Sequence, residues 1–237
     1  MDSNTIPIGE QMANSASALH DSVPLWQSAS ALRLVKAEPK FPPLPLPLLE
    51  GIFQNGLPRG AMTEIAGRRS SGKTSVCLHV LAQATRRGEV CAIVDTCGNF
   101  HPRSAEEAGV ELNRLIWIRC NGNSAHALRA TDLLLHAGGF SVVCLDLCEV
   151  PLRLLQQIPL SYWYRFGRAV ENTPTTVLVC STYPQAKSST SSNLEVTLQQ
   201  IHWSGEHPSL LLSGIETAGA YRKTLRTAQK LALRAAI

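Results

Sequence analysis

Apolar and amphipathic segments alternate along the chain from residue 50 onward. Short, nearly continuous apolar runs predict buried strands at 61–66, 89–95, 114–119, 141–147 and 175–181. Between them, apolar residues at helical spacing predict helices at 73–86, 103–108, 124–137 and 160–172. Strands that alternate with helices are joined by crossovers, so the pattern predicts an α/β fold with a mostly parallel central sheet and helices on both faces.

The pattern is different before residue 48, where half of the 14 prolines lie. Proline removes a backbone donor and blocks the preceding helical turn, so residues 41–48 are predicted to form a polyproline-type connector. A short helix is predicted at 25–37, either as an arm that packs on the core or as a docking segment. We therefore expect residues 1–47 to be a flexible N-terminal arm.

Composition narrows the class of protein. Hydrophobic residues make up 44% of the 237 residues and charged residues 17%, which excludes a chain that is disordered throughout. The net charge of +4 permits contact with a polyanion without requiring it. Neither a membrane-spanning run nor a secretory signal is evident, so a cytoplasmic protein without a membrane partner is expected. The seven cysteines form no C-x-x-C pair and are predicted to be reduced, buried thiols rather than zinc ligands.

Residues 67–74 fit the pattern G-x-x-x-x-G-K-[ST] between a predicted strand and a predicted helix. Glycines let the backbone bend closely around a phosphate, and successive N–H groups and the helix N-terminus then bind its oxygens. The lysine adds a positive charge for the outer phosphates. The residues predicted to bind the nucleotide, taken to be ATP, are Gly67, Arg68, Arg69, Ser70, Ser71, Gly72, Lys73 and Thr74.

A phosphate loop of this kind works with Mg²⁺. The Thr74 hydroxyl is one predicted ligand, and an acidic residue at the end of a buried strand is the other, acting through water. Asp146 ends the apolar run 142–145 and is the favoured candidate, while Asp95, which ends 93–94, is its rival.

Beyond the loop, the chain resembles the core of RecA-type recombinases over residues 50–182. The resemblance is carried by residues 56–67, the phosphate loop, residues 94–102 and 108–112, Asp146, and residues 180–182. The Gly-Leu-Pro-Arg-Gly entrance at 56–60 and the short length are most similar to ImuA-type proteins, RecA-related accessories of error-prone DNA synthesis. The resemblance implies a RecA-like nucleotide-binding core over 48–214, followed by a basic segment over 215–237.

Three positions depart from the family pattern. The glutamate that activates water in RecA-type ATPases corresponds to Cys97, a mostly neutral thiol. The adenine-stacking tyrosine corresponds to Ser104, and the glutamine that senses the γ-phosphate corresponds to Thr182. The resemblance therefore implies binding of ATP and Mg²⁺ with weak or absent hydrolysis. Glu106 and Glu107 are interpreted as a solvated face rather than as substitutes for the missing base.

The resemblance also implies two DNA-contacting loops. The first follows Asp146, around residues 148–160, and contains Arg153. The second spans residues 183–193 and contains Tyr183 and Lys187, although its serines are equally typical of an ordinary flexible loop.

Basic residues are concentrated in the segment 215–237. At helical spacing one stripe would contain Arg222, Arg226, Lys230 and Arg234, either as a solvated face or as a set of phosphate contacts to DNA. The candidate DNA-contacting residues of this segment are Arg222, Lys223, Arg226 and Lys230.

Four functions are compatible with these features. The first is an ATP-binding, RecA-like protein of DNA repair, recombination or translesion synthesis, with single-stranded DNA, a recombinase, an error-prone polymerase or a second copy as partner. The second is an active DNA-dependent ATPase that exchanges strands. A nucleotide-independent adaptor is the third. The fourth is a small-molecule phosphotransferase, for which Arg165 and Arg168 are the only lid candidates.

Overall fold

The computed structural model describes residues 40–51, 53, 55–186, 190, 192–204, 211–222 and 229–231. The helix expected at 25–37 and most of the expected N-terminal arm lie outside the described residues.

The described residues form one eight-stranded sheet. Its strands are β1 (Ala61–Ala66), β2 (Cys91–Asp95), β3 (Leu115–Arg119), β4 (Val142–Leu147), β5 (Thr176–Ser181), β6 (Ser192–Ser204), β7 (Leu211–Arg222) and β8 (Gln229–Leu231). The strand order is β3-β2-β4-β5-β1-β6-β7-β8. Pairing is parallel from β3 to β6 and antiparallel from β6 to β8, so the predicted mostly parallel sheet is confirmed.

Helices cover both faces of the sheet. They are α1 (Lys73–Arg86), α2 (Pro102–Glu107), α3 (Ser124–Ala137), α4 (Leu152–Gln156) and α5 (Leu160–Val170), with 3₁₀ turns at Pro47–Leu49 and Leu112–Arg114. Val80 of α1 packs with Cys144 of β4 in one apolar cluster. Trp163 of α5 packs with the neighbouring Val143 in a second cluster. Adjacent strand residues point to opposite faces, so these clusters are the two halves of an α/β core.

Local sequence signals place the element boundaries well in this part of the chain. β1, α1 and α3 have the bounds that the hydrophobic pattern predicts. α3 begins where the Asn123 side chain accepts a hydrogen bond from the His126 N–H at 3.0 Å. Within the described ranges, no helix combines the length and the apolar character needed to cross a membrane.

The proline-rich stretch differs from the free connector that the sequence predicts. Leu44, Leu46 and Leu49 are buried in the core, and Leu44 exchanges backbone hydrogen bonds with Leu57 at 2.9 and 2.8 Å. Proline withholds a donor, but the leucines between the prolines stay free to pack. Burial of these side chains therefore fixes the stretch on the core.

The helical stripe expected in the basic tail is wrong for the described part of that segment. Residues 215–222 belong to β7 and residues 229–231 to β8. Burial alternates from Glu216 to Ala220, which is the two-residue period of a strand, and Gly219 has low helix propensity. β7 pairs with β6, and β8 pairs with β7, so Arg222 and Lys230 lie in separate strands instead of on one helix.

β6 itself was not predicted, and its first residues overlap the loop expected at 183–193. Leu194 and Val196 are buried while Glu195 and Thr197 are exposed, an alternation typical of a half-buried strand. The strand was not predicted because the alternation is short and follows a stretch of polar serines. Since β7 begins at Leu211, the boundary expected at residue 215 falls inside a strand.

Candidate nucleotide-binding site

The phosphate loop connects β1 to α1 in a tight turn. The Gly67 N–H donates to the Ser181 carbonyl at 3.1 Å, which ties the start of the loop to the end of β5. A Cβ on Gly67 would lie 2.5 Å from the Val196 carbonyl oxygen. Gly72 has φ +88°, and a Cβ there would lie 2.9 Å from a methyl group of Thr217. Both glycines are therefore required by close packing against β6 and β7.

Polar groups of the loop are arranged for an anion. The Lys73 side chain is almost fully buried, and its Nζ donates to the Arg68 carbonyl at 3.0 Å. Ser70 has φ +59°, a left-handed conformation that a non-glycine residue adopts only under tight constraint. The Ser71 Oγ is buried without a hydrogen-bond partner in the described part of the chain. A cradle with a buried cation and an unpaired hydroxyl fits a phosphate group.

A cleft of about 460 Å³ opens beside the loop, at the carboxyl ends of β2, β4 and β5. Lys73, Thr74 and Asp146, which the sequence predicts to hold phosphate and Mg²⁺, line it together. Its volume lies within the range of about 300–1,000 Å³ that small-ligand pockets occupy. The cleft therefore has room for a nucleotide.

Asp146 lines this cleft, and the hydrogen bonds that its carboxylate accepts come from the backbone N–H and the thiol of Cys148. Its Oδ1 accepts one backbone hydrogen bond, from Cys148 at 2.9 Å. Burial raises the pKa of Asp146, because a charged carboxylate loses solvation there. A divalent cation at the cleft would restore that lost stabilisation, so Thr74 and Asp146 form a donor set that fits Mg²⁺.

Asp95 is fully buried, and both of its oxygens are used within the protein. Oδ1 accepts from the N–H groups of Gly98 at 2.7 Å and Asn99 at 3.0 Å. Oδ2 accepts from the Phe100 N–H at 3.1 Å and from the Trp117 indole Nε1 at 3.1 Å. This carboxylate fixes the turn after β2, and its geometry favours Asp146 over it as a metal ligand.

Cys97 is half-buried in that turn and packs against the cluster below α3 and α5. Burial raises the pKa of Cys97 above its ordinary value, and the negative charges of Asp146, Asp95 and Glu149 raise it further. The thiol is therefore neutral at neutral pH and is a poor acceptor for a proton from water.

The acidic residues near the cleft separate into two groups. Glu106 and Glu107 are exposed on α2, and Glu107 pairs with Arg103 at 3.1 Å, as expected for a solvated face. Glu149 lines the cleft and is ion-paired with Arg69 of the phosphate loop. Sequence reasoning did not single out Glu149, although its position three residues after Asp146 places it at the same edge of the sheet.

Aromatic side chains form the opposite wall of the cleft. Ser104 lines it, as the resemblance implies, and its hydroxyl lies 3.0 Å from His101 Nδ1. Phe100 and His101 line it as well, and the Phe100 ring lies 5.3 Å from that of Trp117. These flat side chains provide a surface for a nucleobase that Ser104 lacks. Their position directly after β2 was the available signal, and sequence reasoning did not use it.

The two loops expected to contact DNA lie beside a second groove, of about 530 Å³. Leu152 and Leu155 of α4 line this groove together with Tyr183. Arg153 is exposed on α4, and Tyr183 is 43% exposed. The Thr182 hydroxyl donates to the Cys148 carbonyl at 2.5 Å, which ties the two loops together near their origins.

The other residues expected to contact DNA are not brought into this groove by the described structure. Arg222 ends β7 and Lys230 lies in β8. Lys187, Lys223 and Arg226 lie outside the described residues.

Comparison with known proteins agrees with this geometry. Residues 45–151 match the family model of the RecA N-terminal domain, a range that holds the phosphate loop, Asp95, Cys97 and Asp146. This part of the chain is RecA-like. Protein RecA of Chlorobium chlorochromatii (strain CaD3) is 43% identical over 91 residues. Those of Chlorobium limicola and Rickettsia canadensis (strain McKiel) are 42% and 38% identical over 91 residues. Each alignment covers 38% of this chain, and it spans about a quarter, 26%, of the RecA relative.

Proposed function

We propose that this chain is an ATP-binding, RecA-like protein of DNA repair, recombination or translesion synthesis that hydrolyses ATP slowly or not at all. One observation carries the proposal. A complete phosphate loop lies beside a strand end at which the position of the activating glutamate is occupied by a neutral thiol, Cys97.

Nucleotide binding is supported by the loop geometry. The backbone N–H groups of 67–74 and the Lys73 ammonium would hold the phosphates, and Thr74 and Asp146 would hold Mg²⁺. When bound, Mg²⁺ neutralises charge on the phosphate oxygens. Phe100 and His101 would contact the base, which compensates for Ser104 at the stacking position.

Slow hydrolysis follows from the chemistry of Cys97. A positioned general base contributes roughly 10²–10⁴-fold to a reaction of this kind. A neutral thiol does not supply that contribution, so bound ATP persists and acts mainly as a ligand that selects one conformation or assembly state.

The finer role is proposed from the resemblance to ImuA-type proteins and from the groove between the two loops. Single-stranded DNA would contact Arg153, Tyr183 and Lys187, with Arg222, Lys223, Arg226 and Lys230 as further phosphate contacts. A RecA-type recombinase, an error-prone polymerase or a second copy of the chain is the protein partner. This role needs access to the chromosome, and we therefore propose a cytoplasmic location.

The decisive experiment is a titration of the full chain with labelled ATP and Mg²⁺, followed by a hydrolysis time course with and without single-stranded DNA. We expect saturable binding and slow turnover that DNA does not raise to the level of a recombinase. Rapid DNA-stimulated turnover would contradict the proposal.

A Lys73→Ala variant tests the phosphate contact. The loss of a charge-assisted hydrogen bond worth about 1.5–3 kcal/mol weakens ATP binding roughly 10- to 100-fold. Arg103→Ala is the matched control, because Arg103 is an exposed cation of α2 whose partner is Glu107. If Lys73→Ala abolishes ATP binding but leaves cellular repair and partner binding intact, the chain is instead a nucleotide-independent adaptor.

A second candidate function, an active DNA-dependent ATPase, is favoured by the presence of Glu149 in the cleft. Release of Glu149 from Arg69 would give a carboxylate near the phosphates. Glu149→Gln separates the two functions: it leaves turnover unchanged under the first proposal and abolishes turnover under the second. Of the two lid candidates of the phosphotransferase hypothesis, Arg165 is ion-paired with Asp132 of α3, and Arg168 is exposed on α5.

A further inference from the structure

Three cysteines that are far apart in the sequence meet below the phosphate loop. Cys77 lies on α1, Cys144 on β4 and Cys180 on β5. Their sulfur atoms all lie within 4.8 Å of one another, and the Cys77 and Cys144 sulfurs are 3.0 Å apart. The fold creates this cluster, since no short Cys spacing in the sequence points to it.

The cluster is buried, yet it borders the nucleotide cleft. Cys144 is fully enclosed, whereas Cys77 and Cys180 contribute to the wall of the 460 Å³ cleft. Cys77 lies one helical turn after Lys73, the cation of the same cleft. A small ion can therefore reach the sulfurs through the cleft without unfolding of the core.

Three convergent sulfurs are a set of soft donors, which select thiophilic metal ions over Mg²⁺. Zinc binds thiolate at about 2.3 Å, so its sulfur ligands lie about 4 Å from one another. Small side-chain rotations would bring the observed sulfurs to that spacing. We propose that Cys77, Cys144 and Cys180 form a three-sulfur site for a divalent thiophilic ion, with Zn²⁺ as the biological example and the fourth coordination position open to the cleft.

Charge and proton balance favour a divalent ion at this site. Coordination takes place through thiolates, so three thiolates and Zn²⁺ form a complex of charge −1, and each thiol that is protonated beforehand gives its proton to the solvent. A monovalent ion on the same three thiolates would leave −2 in a buried site, which costs more to desolvate. Lys73 lies in the same cleft and partly offsets the remaining charge.

The experiment is a Zn²⁺ titration of the untagged, reduced, metal-free full chain against a chromophoric chelator, with Cd²⁺ and its thiolate charge-transfer absorption as a second probe. We expect one equivalent to bind, and Cys77→Ser or Cys144→Ser to weaken that binding at least roughly 100-fold, because the loss of an outer-shell partner alone already costs about 10–100-fold. Cys91→Ser is the matched control, because Cys91 is also fully buried but lies outside the cluster. Stoichiometric binding that survives Cys77→Ser, or no binding to the parent chain, overturns the proposal.

A second measurement does not depend on the variants' folding. X-ray absorption at the zinc edge of the loaded, unmutated chain should show three sulfur neighbours at about 2.3 Å. A shell dominated by nitrogen or oxygen would place the ion elsewhere and overturn the assignment. Neither readout involves ATP, so the outcome is independent of the proposed nucleotide function.

Discussion

Asp95, the last residue of β2, and Asp146, the penultimate residue of the neighbouring parallel strand β4, lie opposite each other in register, yet their carboxylates do different things. Asp95 accepts four hydrogen bonds and holds a turn together. Asp146 accepts one from the backbone and lines the nucleotide cleft. Their positions in the sheet are equivalent, so the following backbone decides which carboxylate remains available for a ligand.

The difference comes from the path of the chain after each strand. Gly98, with φ +84°, lets the segment after β2 curl back, so that three successive N–H groups point at Asp95. After β4 one backbone donor, the Cys148 N–H, reaches Asp146, and the Cys148 thiol is its side-chain donor. A carboxylate at the end of a strand is thus a structural anchor where the following backbone donates several hydrogen bonds to it. Where the following backbone donates few, the carboxylate remains available for a ligand.

Among the variants that test this contrast, Asp95→Ala should have the largest effect on stability. It leaves three backbone donors and one indole donor without their acceptor, and each such group costs about 1–3 kcal/mol when buried. We expect the free energy of unfolding to fall by at least about 3 kcal/mol, measured by urea denaturation.

Asp95→Asn is the companion variant, since it keeps one acceptor oxygen and should lose less stability than Asp95→Ala. A loss as small as that of an exposed substitution, within about 0.5 kcal/mol, would show that Asp95 does not anchor the turn.

Cys97→Glu tests the missing base at the end of β2. A carboxylate at this position can accept a proton from water, so we expect ATP turnover to rise at least roughly tenfold, within the range that a general base supplies. Turnover is measured as phosphate release under saturating ATP and Mg²⁺. Cys97→Gln is the control of similar size, and equal rates for the two variants would assign slow hydrolysis to another cause.

Asp146→Asn should separate function from stability. We expect Mg²⁺-dependent ATP binding to become about tenfold weaker, because one charge-assisted contact is lost. The measurement is a Mg²⁺ titration at fixed ATP. Glu106→Gln on the exposed face of α2 is the control and should leave this titration unchanged.

The same variant should change the pH dependence of stability. Burial raises the pKa of Asp146 above its ordinary value of 3.8, so its contribution to stability is present below that value and is lost as the pH rises through the folded-state pKa. Asparagine does not titrate, and the stability of Asp146→Asn relative to the parent should therefore increase with pH. A relative stability that falls with rising pH in thermal melts of the nucleotide-free chains would contradict this sign.

Trp117→Phe is the smallest expected change. It removes the indole donor to Asp95 while keeping an aromatic ring beside Phe100, so we expect a loss of about 1 kcal/mol in the free energy of unfolding. Equal stability of the two chains in urea would assign the anchoring of Asp95 to the backbone alone.

The sequence allowed the parallel part of the fold to be predicted because each segment there carries its own signal. Buried strands are continuous apolar runs, and α1 and α3 have helical periodicity with clear starts. The antiparallel strands were less evident. β6 has only a short alternation after a serine-rich stretch, and Arg222 and Lys230 happen to have a spacing that a helix would also produce.

The candidate site could be predicted only as far as contiguous residues define it. The phosphate loop is one octet and was evident, and Asp146 was favoured from its strand. Glu149, Phe100 and the sulfur cluster depend on which strand ends lie side by side, and that order is a property of the folded sheet. The four donors to Asp95 also come from a turn and from a neighbouring strand, so one sequence cannot reveal that its carboxylate is saturated.

Gly67 and Gly72 touch Val196 and Thr217, two residues that follow the RecA-like segment in the chain. The strands β6 and β7, in the final third of the chain, therefore support the conformation of the phosphate loop. A truncated chain that stops at residue 151 would keep the octet but lose its support. A partner that shifts β6 or β7 would change the conformation of the phosphate loop directly, because these two strands contact the loop. The change would not have to pass through the other strands of the sheet.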